Sequence, residues 1–126
     1  MKPTQQVQSL DENCIFCKIL QGKIPSKKIM ETEYSLVIQD ISPKAPIHYL
    51  IIPKSHIQDL NFWTPENSHI LTDVIKVAKE LSEKYLVAPR AFNLILNNGR
   101  DAGQGVLHAH WHFLAGKNIY DGGFSL

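Results

Sequence analysis

From His108 to Leu114 the chain reads His-Ala-His-Trp-His-Phe-Leu, and no other stretch constrains the fold as tightly. In a β-strand successive side chains point to opposite faces, so a period of two predicts a strand here. Taken as a strand over Val106–Leu114, it turns Ala109, Trp111 and Phe113 toward a core. His108, His110 and His112 then line the other face, about 6–7 Å apart along the strand. These are three of the chain's six histidines. Each imidazole needs a hydrogen-bond partner when buried, so packing alone does not account for the row.

The segment before this strand is Asn97-Asn98-Gly99-Arg100-Asp101-Ala102-Gly103-Gln104-Gly105. Its glycines permit positive φ and close approach of backbone to a ligand. Successive amides in such turns form concave anion sites. By itself the loop reads as an ordinary connector; beside three histidines it reads as a phosphate cradle.

The rest of the chain supplies a frame. Asn13 is a candidate cap for a short helix to about Gln21, ended by Gly22. Lys27–Glu31, Ser35–Ile41, His48–Ile52 and Phe92–Leu96 are predicted strands, rich in Ile, Val and Leu. Thr64 with Pro65 and Glu66 opens a long helix. In it Ile70, Leu71, Val74, Val77, Ala78, Leu81 and Tyr85 recur at helical spacing. Five strands, one long helix and one short one predict an α+β domain with an antiparallel sheet, whose strand order this pattern does not fix. Residues 1–12 are polar and aperiodic and are predicted to be a mobile arm; 13–126 form a single domain.

Composition narrows the function classes. With 126 residues, 13 Lys+Arg and 12 Asp+Glu, the formal net charge is +1, which gives no support to a nucleic-acid binder. No run approaches the 18 or so apolar residues of a membrane span, and the N-terminal segment lacks the apolar core of a secretory signal. A cytoplasmic protein is the default expectation.

The run from His108 to Leu114 matches the His-φ-His-φ-His-φ-φ pattern (φ apolar) of the histidine triad family of nucleotide hydrolases and transferases. Further blocks resemble the family in the same order: Cys14–Ile19, Asp40–His48, Ile52-Pro53-Lys54-Ser55-His56, and Asn97-Asn98-Gly99 through Gly103-Gln104. The resemblance spans about residues 14–116 and is nearest to the Hint branch of purine nucleoside phosphoramidases.

That resemblance implies a HIT-like fold, a homodimer paired through the long helix and the Phe92–Leu96 strand, and chemistry at the α-phosphorus of purine nucleoside conjugates. His110 would attack phosphorus and form a nucleotidyl-histidine, which water resolves to AMP or GMP. His112 would bind phosphoryl oxygens and the leaving-group side, and His108 would support the nucleophile. Asn97, Gln104 and Gly105 would contact phosphate, and Asp40 the ribose hydroxyls. Ile15, Phe16, Ile38 and Ile41 would form the slot for the base. Read without the resemblance, those four are plain core and Asp40 is a turn residue before Ser42-Pro43. Neutral imidazole, the majority form at pH 7, is the form able to attack phosphorus.

Two features depart from the pattern or extend it. Gly105 stands where Hint phosphoramidases commonly carry a serine whose hydroxyl helps protonate a leaving amine. Cys14 and Cys17 can be half of a zinc site, a redox pair, or two small buried residues. The family resemblance implies a structural zinc held by Cys14, Cys17, His48 and His108; alternatively His48 and His108 hydrogen-bond to each other. His56 and His69 read as solvent-facing, and Lys54 as a surface charge. No cofactor is expected to be required for catalysis. The competing readings are a zinc hydrolase using the His-x-His-x-His face itself, and a nucleotide-binding regulatory module with weak catalysis.

Overall fold

The computed structural model describes residues 13–123, so the predicted arm at 1–12 lies outside the described residues. Cys14, in extended backbone, caps helix α1 (Ile15–Leu20), its sulfur accepting the amide of Cys17 at 3.4 Å. The cap is therefore one residue later than Asn13. After α1 come β1 (Lys28–Glu31), β2 (Ser35–Gln39) and β3 (Ile47–Pro53). Strand β2 stops before Ile41 because the Asp40 carboxylate accepts the Ser42 amide at 2.7 Å and turns the chain.

Thr64 caps only a 3₁₀ turn, Pro65–Asn67, and the long helix α2 runs Ser68–Tyr85. Its buried stripe is Ile70, Val74, Val77, Ala78 and Leu81; Leu71, predicted to share it, faces outward, and Tyr85 lies at the rim, part-exposed with its ring 5.5 Å from that of buried Tyr49. Asp73 anchors the helix, accepting the hydroxyls of Thr32 at 2.7 Å and Ser35 at 2.6 Å at the β1–β2 turn.

Strands β4 (Asn93–Leu96) and β5 (Trp111–Ala115) complete an antiparallel sheet of order β1-β2-β3-β5-β4. The last strand begins at Trp111, not Val106. Upstream of it the amide of His108 bonds the Val106 carbonyl and that of Ala109 bonds the Ile57 carbonyl, so these residues leave the ladder. The alternation nevertheless survives. Ala109, Trp111 and Phe113 pack with Val37, Ile51, Val74, Val77 and Leu81 in the core under α2. On the opposite face Leu36, Ile38, Leu50 and Ile52 pack with Cys14, Phe16 and Cys17 around α1. Strands β2 and β3 are thus covered on both faces, which is why they read as unbroken apolar runs. Among the described residues no helix is long and apolar enough to cross a membrane.

Candidate active site

The three histidines enter the site from β5 and the turn before it, and each ring is fixed at one nitrogen. A carbonyl only accepts, so the 2.8 Å contact between His110 Nδ1 and the His108 carbonyl places the proton on Nδ1 and leaves Nε2 with a bare lone pair. Phe16 packs against the His110 ring in a T-shaped contact at 4.9 Å.

His112 is oriented oppositely. The amide of Lys44 donates to His48 Nδ1 at 3.0 Å, so His48 carries its proton on Nε2. That proton faces His112 Nδ1 at 2.9 Å, which leaves His112 with N–H at Nε2. One half-buried ring therefore presents a donor beside another that presents a lone pair, with centroids 5.3 Å apart. His48 and His108 do not bond each other: His108 Nε2 donates to the Pro53 carbonyl at 2.8 Å.

Burial keeps these rings neutral. It pushes His112 down to about 4, helped by repulsion from His110 and His48 and opposed by Asp40. His108 is likewise pushed down to about 4 by burial. His110 and His48 are lowered mainly by burial, with Asp40 pulling the other way in both.

Asp40 makes the turn that its place before Ser42-Pro43 suggested. One carboxylate oxygen makes the turn to Ser42, and the other lies 3.4 Å from His48 Nε2. The apolar residues assigned to the base divide: Phe16 and Ile38 are buried core, whereas Ile15 and Ile41 are exposed.

Gln104 is not free to bind phosphate. Its carbonyl oxygen accepts the Gly99 amide at 2.7 Å, and its Nε2 donates to the carbonyls of Gln58 and Val106. It braces a loop whose Gly99 and Gly103 both sit at φ +93°. Asn97 instead lines a cleft with His48 and His112. Gly105 is exposed, and a Cβ there would meet nothing within 4 Å.

The cysteines gather a different pair of histidines from the expected one. Cys14, Cys17, His56 and His108 bring their ligand atoms within 4.8 Å of one another, while His48 belongs to the His112 side. His56, read from the sequence as solvent-facing, lies with Nδ1 at 3.2 Å from Cys17 Sγ. His108 Nδ1, left bare by the bond to Pro53, is 3.5 Å from Cys14 Sγ and 3.6 Å from Cys17 Sγ. Tetrahedral zinc with bonds of about 2.3 Å to sulfur and about 2.1 Å to nitrogen separates S from N by roughly 3.5 Å. The donor set and its spacing fit that ion. The signal in the sequence was the histidine ending Ile52-Pro53-Lys54-Ser55-His56.

A catalytic zinc on the histidine row does not fit the geometry. The rings of His108, His110 and His112 turn their nitrogens to separate partners. His108 joins the cysteine cluster, whereas His112 gathers with Asp40 and His48, their ligand atoms within 4.8 Å of one another and His48 and His112 hydrogen-bonded at 2.9 Å.

The HIT domain family model matches residues 21–119. The chain belongs to the HIT family. The adenosine 5'-monophosphoramidase HNT1 of Saccharomyces cerevisiae is 40% identical over 114 residues, covering 90% of this chain and 69% of the yeast protein. A HIT family hydrolase from Clostridium thermocellum superposes with TM-score 0.83 at 41% identity, covering 92% of this chain and 98% of that one. A Zn-bound histidine triad family protein from Mycobacterium smegmatis superposes with TM-score 0.71 at 36% identity, covering 84% and 76%. With these relatives the HIT chain is a hydrolase.

Proposed function

We propose that this HIT hydrolase cleaves purine nucleoside phosphoramidates or related nucleotidyl conjugates at the α-phosphorus, through a nucleotidyl-His110 intermediate. The observation that carries the reading is the opposed tautomers: a bare Nε2 on His110 beside an Nε2–H on His112. In the first step the His110 lone pair forms the N–P bond. The bond from phosphorus to the leaving nitrogen or oxygen breaks, and its electron pair departs with the leaving group, which takes a proton from solvent. His112 donates a hydrogen bond to the phosphoryl or leaving-group atom, stabilising charge where it develops. In the second step a water oxygen attacks phosphorus and gives up a proton to solvent, the N–P bond breaks with its pair returning to His110, and the nucleoside monophosphate leaves. Two easier displacements replace one difficult one. Asp40, beside this cluster, is the candidate acceptor for ribose hydroxyls.

A zinc ion held by Cys14, Cys17, His56 and His108 would be structural, since four protein ligands leave no open position. It would pin α1 to the turn before β5 and take no part in the displacement. We further propose a homodimer. Among the described residues strand β4 pairs only with β5, and its other edge is the candidate template for a second copy. Leu94, Ile95 and Leu96 supply half-buried apolar surface along that strand.

The direct test is release of AMP from adenosine 5'-phosphoramidate. Turnover that persists after exhaustive chelation supports the reading. Tight AMP binding with no turnover of any conjugate would instead make the chain a nucleotide-binding module, the outcome that Gly105 favours.

A further inference from the structure

We infer that the cysteine–histidine cluster positions the nucleophile through Phe16 and His108, an inference that rests on the proposed nucleotidyl transfer. Strand pairing toward this end of β5 stops at Trp111, so His110 stands outside the ladder. So does His108, whose carbonyl accepts the Nδ1 proton of His110. An acceptor that sets the tautomer of a nucleophile must itself be held, and here the sheet does not hold it.

Other bonds replace the ladder. The His108 amide donates to the Val106 carbonyl at 2.9 Å, and the Ala109 amide to the Ile57 carbonyl at 2.7 Å. The His108 ring donates from Nε2 to the Pro53 carbonyl and turns Nδ1 to the sulfurs of Cys14 and Cys17. His56, the residue before Ile57, packs on the His108 ring in a T-shaped contact at 4.8 Å and turns its own Nδ1 to Cys17. Zinc ligation by His56 and His108 would therefore cross-link the same two segments that the Ala109–Ile57 bond joins. The cross-link falls where sheet pairing ends.

The cysteines reach His110 by a second route. Phe16 lies between Cys14 and Cys17 in the first turn of α1, which Cys14 caps. Its ring makes T-shaped contacts with both imidazoles, at 4.9 Å to His110 and 5.9 Å to His108. His110 is thus held at Nδ1 by the His108 carbonyl and against its ring by Phe16, and both holders belong to the cluster. Asp40 and Asn97, the proposed nucleotide contacts, lie on the His48–His112 side instead. A misplacement of about 1 Å at a reacting atom can cost about 10²-fold in rate. Loosening the cluster should therefore fall on kcat and spare nucleotide affinity.

The test compares the intact protein, carrying its metal, with His56→Ala, His56→Cys and Phe16→Leu. Four readouts are taken: zinc per chain, kcat and KM for adenosine 5'-phosphoramidate, AMP affinity by calorimetry, and the ring-nitrogen shifts of His110. His56→Ala should lose zinc and lower kcat about tenfold, with KM and AMP affinity held within about twofold. Turnover is slowed and not abolished, because His110 keeps its lone pair. The nitrogen shifts should change from a single Nδ1–H tautomer to a mixture. His56→Cys supplies another kind of zinc ligand and should restore the metal, the single tautomer and kcat. Phe16→Leu keeps all four ligands and should lower kcat at full zinc content and unchanged AMP affinity; if His56→Ala does not fold, this variant decides alone. Parental kcat in zinc-free His56→Ala or in zinc-loaded Phe16→Leu overturns the inference. So does zinc retained without His56, or a fall in kcat matched by an equal fall in AMP affinity. Each of these leaves the nucleotidyl transfer intact, whereas an intact protein that releases no AMP would defeat that reading instead.

Discussion

The Nδ1 proton of His110 reaches the carbonyl of His108 across 2.8 Å. His108 thus faces two ways: its side chain closes the cysteine cluster, and its backbone sets the tautomer of the neighbouring ring. Replacing His110 with alanine should abolish turnover while changing AMP affinity less than about tenfold, roughly 1.4 kcal/mol. The variant removes the lone pair that attacks phosphorus and leaves Asp40, Asn97 and His112 in place. Calorimetric titration with AMP alongside a turnover assay separates the two effects. Near-normal turnover would remove His110 as nucleophile.

The metal assignment separates two histidines that the sequence did not. Protein purified without chelator should contain one zinc per chain, and stripping it should lower the melting temperature by ligand linkage. His56→Ala and Cys14→Ser should lose the metal, whereas His48→Ala should retain it. Elemental analysis of these variants decides the matter: zinc lost with His48 and kept without His56 would restore the ligand set implied by the resemblance alone.

Gly105 offers a gain of function. A Cβ at this position meets no neighbour, and the backbone is outside the left-handed region, so serine fits without strain. A hydroxyl that assists protonation matters most when the leaving group is a poor one, and such help is worth typically about 10²–10⁴-fold. Gly105→Ser should raise kcat/KM for an alkyl phosphoramidate of AMP far more than for the fluoridate. Equal effects on both would show that the position shapes phosphate binding.

Much of this was legible beforehand, and the exceptions have physical causes. The period-two pattern placed Trp111 and Phe113 in the core and the histidines opposite, because alternation is a local property of an extended chain. It overran the ladder at Val106–His110, where tertiary bonds to Ile57 and a local turn replace strand pairing. Leu71 fits the helical stripe by spacing, yet the apolar arc of α2 is too narrow to include it, and Tyr85 reaches the core only at its rim, against Tyr49. The His56 ligand was hidden because proximity to Cys17 arises from α1 packing over β3, and no spacing rule reports it. Gln104 reads as a phosphate donor by position, whereas its amide is taken up by Gly99 and Val106 nearby and by the distant Gln58 carbonyl, which ties the loop to the chain after β3.

The depressed imidazoles predict a pH signature with a definite sign. His112 is unprotonated in the folded protein until about pH 4, while the unfolded chain takes up its proton near pH 6.5. Its contribution to stability is therefore fully present above about pH 6.5 and is lost as pH falls toward 4. The acid limb of kcat/KM, which reports the free enzyme, should likewise lie well below 6.5. Denaturant midpoints and rates across pH 4–8 measure both. An acid limb at or above 6.5 would mean that the rings are more hydrated than their burial requires.

The central claim is the covalent intermediate. Acid quenching during turnover of an AMP conjugate with a fast leaving group, followed by intact-mass and peptide analysis, reads it directly. The account predicts a mass increase of one adenylyl group, carried by the peptide containing His110 and missing from His110→Ala. Steady turnover with no adenylylated protein at any quench time, or an adduct on another residue, would contradict it.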